Sequence, residues 1–169
     1  KADYDGGWDF KEGLARVKKA DKWGAIDKTG KVVVDFKYDD LKDYSEGLNN
    51  FRIGDEKTGK WGYVDKSGKV VIEAQFDRAW SFTDGLACIR VGDFKTGKFG
   101  YIDKTGKIVI NPTLTGAASF FEGLACISNS PVTNGNLKDA KFNYIDKTGK
   151  VVISRGSDFT ADFVNGLAR

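Results

Sequence analysis

The chain has 169 residues, 40% hydrophobic and 30% charged, which is the length and balance of one soluble globular domain. Its 27 basic and 24 acidic residues leave a net charge of only +3. Lys and Asp alternate within the same turns, unlike the segregated basic stripe of a nucleic-acid binder, so no nucleic-acid partner is expected.

Twenty-one Gly against two Pro argue for many tight turns and against a flexible linker. The lack of Met reads as a processed product or a piece of a larger protein, and the ending in mid-motif at Arg169 favours the piece. No apolar run approaches the ~18 residues that span a bilayer, so no membrane span is expected. A trimmed N-terminus cannot display a signal peptide. Two Cys make no disulfide framework and leave the redox compartment open.

A repeat runs through the chain. Gly-Leu recurs at Gly13-Leu14, Gly47-Leu48, Gly85-Leu86, Gly123-Leu124 and Gly166-Leu167, at intervals of 34, 38, 38 and 43 residues. An aromatic residue followed by Gly recurs at Trp23-Gly24, Trp61-Gly62 and Phe99-Gly100, with Phe142-Asn143 as a degenerate fourth. Asp-Lys-Thr-Gly-Lys or Asp-Lys-Ser-Gly-Lys follows each time, from Asp27, Asp65, Asp103 and Asp146. The unequal intervals come from one connection, short between Val17 and Trp23, longer at Gly54–Lys60 and Gly92–Lys98, and longest at Asn129–Lys141. Length variation confined to one connection marks a surface loop.

Each unit reads as three short strands. The first is Leu-Ala-x-aliphatic, as in Leu86–Ile89; the second is the aromatic-Gly segment, as in Phe99–Asp103; the third is as in Lys69–Ile72. All are rich in β-branched and aromatic residues and bounded by turn residues. Asp-Lys-Thr-Gly joins the second strand to the third. Asp27, Asp65, Asp103 and Asp146 are placed to bond backbone amides two or three residues on. Gly30, Gly68, Gly106 and Gly149 sit where a type I turn with a G1 bulge needs a left-handed residue.

Between the third strand and the next unit, Phe10, Tyr44, Phe82, Phe120 and Phe163 each lie three residues before the repeat Gly. This spacing suits a short turn or single 3₁₀ turn that tucks a ring under the sheet. The units run approximately over 8–46, 47–84, 85–122 and 123–165, with 166–169 opening a further one. One three-stranded unit cannot bury its own face, so neighbours must supply the other half of the core. The expected fold is all-β, with tandem ~38-residue antiparallel meanders forming a solenoid or superhelix. The alternative is a four-bladed, propeller-like ring, which ordinarily takes about four strands per blade.

Lys60-Trp61-Gly62-Tyr63-Val64-Asp65-Lys66-Ser67-Gly68-Lys69-Val70-Val71-Ile72, followed by Phe76-Asp77 and Phe82-Thr83-Asp84-Gly85-Leu86-Ala87, closely resembles the bacterial WG-repeat family, also called KWG repeats. The resemblance covers nearly the whole chain. It departs at Phe99, and at Phe142-Asn143, where Trp-Gly is replaced. It implies a β-rich bacterial repeat module, often attached to other domains, with no catalytic residues to carry over.

The remaining constellations are structural on their simplest reading. The absence of His removes Ser-His-Asp and Cys-His catalysis and the commonest metal ligand. Cys88 and Cys126 share one slot, which elsewhere holds Arg16 and Asn50. A disulfide or two-thiolate site is the alternative to packing as small apolar residues. The turn aspartates lack the closely spaced oxygens of a calcium loop. Nothing singles out a pair of carboxylates for glycoside cleavage. Trp23 and Trp61 read as core, because Phe99 and Phe142 replace them in register. Trp8 and Trp80 share another slot, five residues before the Gly, where other copies have Lys42, Ala118 and Ala161. This irregularity makes Trp8 and Trp80 the candidate surface contacts. Trp-Gly-Tyr-x-Asp-x-x-Gly is also similar to the hairpin repeats of cell-wall-binding modules.

The expected function is therefore non-enzymatic, a scaffolding or binding surface for a protein partner, with no catalytic residue, cofactor or metal. Self-association into a surface layer or filament is one alternative. Glycan or cell-wall binding through exposed aromatics is another. A bacterial extracellular or cell-envelope setting is favoured.

Overall fold

The computed structural model describes residues 4–128, 142–154, 163–164 and 167–168. The connection at 129–141, Ala161 and Gly166 fall outside them. Among the described residues every regular element is a strand, and no helix is long and apolar enough to cross a membrane. Contacts divide the chain into two compact units, 1–81 and 82–169.

In residues 1–81, β1 (Gly6–Gly7), β2 (Leu14–Lys19), β3 (Lys22–Asp27) and β4 (Val32–Tyr38) form one antiparallel sheet in sequence order. β5 (Asp40–Leu41), β6 (Leu48–Ile53), β7 (Lys60–Asp65) and β8 (Val70–Phe76) form a second, and β9 (Arg78–Ala79) follows. In residues 82–169, β10 (Leu86–Val91), β11 (Lys98–Asp103) and β12 (Ile108–Leu114) repeat the meander. β13 (Gly116–Ala117), β14 (Leu124–Ser128), β15 (Phe142–Asp146) and β16 (Val151–Ser154) form another four-stranded sheet. β17 (Phe163–Val164) and β18 (Leu167–Ala168) form a hairpin.

The expected meander is present, and a short leading strand is added to it. Asp40–Leu41 pairs with Phe51 and Arg52 of β6, which brings part of the crossover into the next sheet. Two residues are too few to show an alternating pattern, so sequence could not announce them. Four strands is also the count of a propeller blade, which removes the argument from strand number for an open solenoid. The architecture is a β-rich repeat fold of solenoid or propeller-like type.

The crossover turn is the short turn of the two expected forms, not the 3₁₀ turn. Ser45 and Leu48 exchange both backbone hydrogen bonds, at 2.9 and 3.2 Å, around Glu46 and Gly47. Both central residues have positive φ, 53° and 87°. This is a two-residue hairpin of type I′, whose twist suits the flanking strands. Glu12-Gly13, Asp84-Gly85 and Glu122-Gly123 repeat it. An acidic residue thus occupies a left-handed conformation in each of these four turns, at a cost of about 1 kcal/mol.

The Gly of the aromatic-Gly motif has a different cause. Trp61 pairs with Phe76, but Tyr63 pairs with Ile72, so two residues of β7 oppose four of β8. A Cβ on Gly62 would lie 2.5 Å from the Ile72 carbonyl oxygen. Gly24 and Gly100 show the same bulge. At the degenerate fourth copy Asn143 and Tyr144 pair regularly with Ser154 and Ile153, so the strand can carry a side chain there.

The core of residues 1–81 joins both sheets through Leu14, Ala25, Val34, Tyr38, Leu41, Tyr44, Phe51 and Val64. Tyr38 and Phe51 pack with centroids 4.3 Å apart. In residues 82–169, Tyr101 and Phe120 meet edge to face at 4.8 Å. The crossover rings Tyr44, Phe82 and Phe120 are buried. Phe10 is not a core wedge, being 44% exposed. Tyr44 packs on residues of the preceding sheet, whereas no described sheet precedes Phe10.

Candidate functional site

The four Asp-Lys-Thr/Ser-Gly-Lys turns are alike. Asp27 Oδ1 accepts the Thr29 amide at 2.8 Å, the Thr29 hydroxyl at 2.6 Å and the Lys31 amide at 3.1 Å. Asp65, Asp103 and Asp146 do the same with Ser67 and Lys69, Thr105 and Lys107, and Thr148 and Lys150. The hydroxyl bond above all holds each carboxyl below its ordinary range. Gly30, Gly68, Gly106 and Gly149 have φ of 85–87°. These carboxylates are occupied with turn geometry. Among the described residues no group of three or more metal-ligating side chains is placed to hold an ion.

The repeats are stitched together by side chains that sequence spacing did not single out. Glu12 accepts the amides of Glu46 and Gly47, at 2.7 and 2.9 Å, and pairs with Lys66 at 2.9 Å. The acid of one type I′ turn therefore caps the equivalent turn of the next copy. The Lys66 bond first, then the two amides, lower its carboxyl from the ordinary value. In residues 82–169, Asp84 caps the Gly123 amide at 2.6 Å. The acid before four of the five Gly-Leu pairs was visible in the sequence, but its partner lies 34 or more residues away.

The slot three residues after the repeat Gly has a shared task. Arg16 donates to the Leu41 carbonyl at 2.8 Å, and Asn50 donates to the Ala79 carbonyl at 2.9 Å. Cys88 faces the Ala117 carbonyl at 3.9 Å. Neither Cys88 nor Cys126 joins a disulfide. Burial pushes the Cys88 thiol up to about 12, the opposite of an activated nucleophile.

The Trp residues divide between core and surface. Trp61 is buried. Trp23 is only half-buried, because its outer side packs on Trp8 at 5.0 Å and not under a sheet. Trp8 is 52% exposed and carries the Arg16 guanidinium 4.4 Å from its ring centroid. Trp80 is half-buried and lines a cavity of about 290 Å³ with Arg16, Lys42, Asp43, Asn50 and Arg78. The two candidate surface residues thus border a common element, Arg16. The Trp80 carbonyl accepts the Tyr63 hydroxyl at 2.7 Å, which pins the main chain beneath the indole.

Charge in this cavity is unevenly satisfied. Arg16 pairs with Asp43 at 2.9 Å, and Lys42 pairs with Asp40 at 2.8 Å. Arg78 lies instead over two indoles, 5.1 Å from Trp61 and 6.0 Å from Trp80. No carboxylate among the described residues pairs with it. Arg78 escaped the sequence reading because a lone basic residue after Phe-Asp carries no pattern.

A second cavity, of about 320 Å³, lies in residues 82–169 against Arg90, Phe94, Lys95, Lys98 and Phe99. Phe94 is 86% exposed on the loop whose Asp93 accepts the Lys95 and Thr96 amides. The same loop of the preceding copy has Glu56 at that place.

A family model described as "WG containing repeat" matches residues 1–23, 23–55, 61–93, 99–129 and 144–169. No curated relative matches the chain. The crystal structure of a eukaryotic initiation factor is similar at 14% identity and a TM-score of 0.54, over 85% of this chain and 39% of that one. A quinonprotein alcohol dehydrogenase-like protein from Bacteroides thetaiotaomicron VPI-5482 gives 13% identity and a TM-score of 0.39, over 91% of this chain and 56% of that one. The chain spans less than two thirds of either structure, and the likeness to the first is one of fold.

Proposed function

This chain belongs to the WG-repeat family, and we propose that it is a non-enzymatic interaction module that holds a protein partner on the cationic and aromatic face of residues 1–81. The observation that carries this reading is the cavity lined by Arg78 and Trp80. Arg and Trp are the side chains enriched at interface hot spots, because they combine large apolar area with directed polar contacts. The cavity has room for one or two side chains, as a protein anchor requires. The paired turns and buried rings around it supply a rigid frame, which limits the ordering cost of binding.

The test is quantitative affinity capture from the source cell, with the chain and its R78A/W80A double variant compared side by side. The reading expects proteins held by the chain and lost by the variant. Equal recovery by both would overturn it.

A second reading rests on Trp8, whose exposed ring could stack on a sugar. Its test is titration with peptidoglycan fragments while Trp fluorescence is followed in the chain and in Trp8→Ala. An unchanged signal in the unaltered chain would remove it.

A further inference from the structure

We propose that the cavity of residues 1–81 recognises a carboxylate on an acidic segment of the protein partner, with Arg78 binding the carboxylate and Trp80 covering the adjoining apolar surface. This rests on the protein-binding reading and names the chemistry of the partner.

Of the cations at the cavity, two are already committed. Arg16 donates to Leu41 and pairs with Asp43, and Lys42 pairs with Asp40. Arg78 has only the faces of Trp61 and Trp80. A guanidinium lying over rings keeps its in-plane N–H groups free, and their fork fits a carboxylate bidentately.

The repeat sharpens the point. Seven residues before the Gly, the second copy has Asp40 and the third has Arg78. Asp40 neutralises the Lys two residues on. In the third copy that slot changes sign, and the residue two places on is Trp80. An internal acid–base pair is thus replaced by a cation and an indole that leave the acid to come from outside.

The walls favour a carboxylate attached to carbon over a free tetrahedral anion. Ser81 donates its hydroxyl to Asn50 at 3.4 Å, and Asn50 spends its amide on Ala79. Arg78 is the cation of this lining with no carboxylate partner among the described residues, and it lies beside an apolar indole. Phosphate would need donors on several sides, whereas a Glu or Asp next to an apolar residue matches both surfaces. A nucleic-acid backbone would need a row of free cations, and the neighbouring ones are paired.

The experiment is calorimetric titration of the full chain with a capped peptide of alternating Glu and Leu, its Gln-for-Glu counterpart, and inorganic phosphate. The same titrations use Arg78→Gln and, as a control in the other unit, Lys95→Gln. Circular dichroism establishes that both variants are folded. The expected result is binding of the Glu peptide that weakens with salt. Arg78→Gln should weaken it roughly tenfold, the loss of a charge-assisted hydrogen bond. Lys95→Gln should bind as the unaltered chain does.

Equal binding of the Gln peptide, or an unchanged affinity in Arg78→Gln, would overturn the inference. So would phosphate binding through Arg78 tighter than that of the Glu peptide. Capture of partner proteins abolished by Trp80→Ala yet untouched by Arg78→Gln would overturn the carboxylate and leave the interaction module standing.

Discussion

Residues 1–81 and 82–169 are built from one repeat, yet equivalent positions carry different chemistry. Three residues after the repeat Gly stand Arg16 and Asn50 in the first unit, Cys88 and Cys126 in the second. Five residues before it stand Trp8, Lys42 and Trp80, against Ala118; seven before it, Gly6, Asp40 and Arg78, against Gly116. The supporting frame does not change. Tyr63 holds the Trp80 carbonyl at 2.7 Å, and Tyr101 holds the Ala118 carbonyl at 2.6 Å. Since the frame is satisfied with Gly and Ala in those slots, folding does not demand the large cationic and aromatic residues of the first unit. This contrast supports the binding role proposed for them.

The comparison can be broken first at the frame. Gly62→Val should cost about 3 kcal/mol, because the added carbon meets a backbone oxygen across the bulge. Asn143→Ala, in the unbulged equivalent, should cost under about 1 kcal/mol. Urea denaturation of both variants checks this, and equal losses would mean that the bulge is not what requires Gly.

The turn caps come next. Glu12→Gln should cost about 1–2 kcal/mol, since it weakens two amide caps and the Lys66 pair, screened by solvent. Asp84→Asn, with one described cap, should cost less. Because the Glu12 carboxyl is lowered on folding from 4.5, its contribution is complete above about pH 4.5 and is lost as the pH falls. Asp55, held at about 2 chiefly by the Thr58 hydroxyl, carries the acid limb down towards pH 2. Melting temperatures followed from pH 6 downward should therefore decline more shallowly in Glu12→Gln. An unchanged slope would exclude Glu12 from the acid limb.

A smaller change in stability is expected from copying the first surface onto the second unit. Gly116→Arg with Ala118→Trp should leave stability within about 0.5 kcal/mol, as a Cβ added at Gly116 would meet only the Ser128 Cβ, at an ordinary contact distance of 3.5 Å. The grafted chain should take up additional Glu peptide in calorimetry, whereas no added binding would show that Asn50 and Lys42 are also needed. The least perturbing test is alkylation of the native chain. Cys126, which is half-buried, should react well before the buried Cys88, as read by mass spectrometry of peptides.

Much of this was legible in the sequence because it is local. The meander strands, the Asp-Lys-Thr-Gly turn and the repeat register depend on residues within about five positions of each other, and those interactions recur wherever the short motif recurs. The irregular placing of Trp8 and Trp80 was also visible there. The tertiary structure alone decided what depends on distant partners. It placed the two-residue leading strand, the stacking of Arg78 on Trp61 and Trp80, and the capping of Gly47 by Glu12. None of these could be read from spacing alone, because each is set by which copy comes to lie beside which. The sequence by itself determined a β-rich array of one repeated unit. Packing between neighbouring copies decided which of its charges are neutralised at home and which one, Arg78, is left against two indoles with no carboxylate among the described residues.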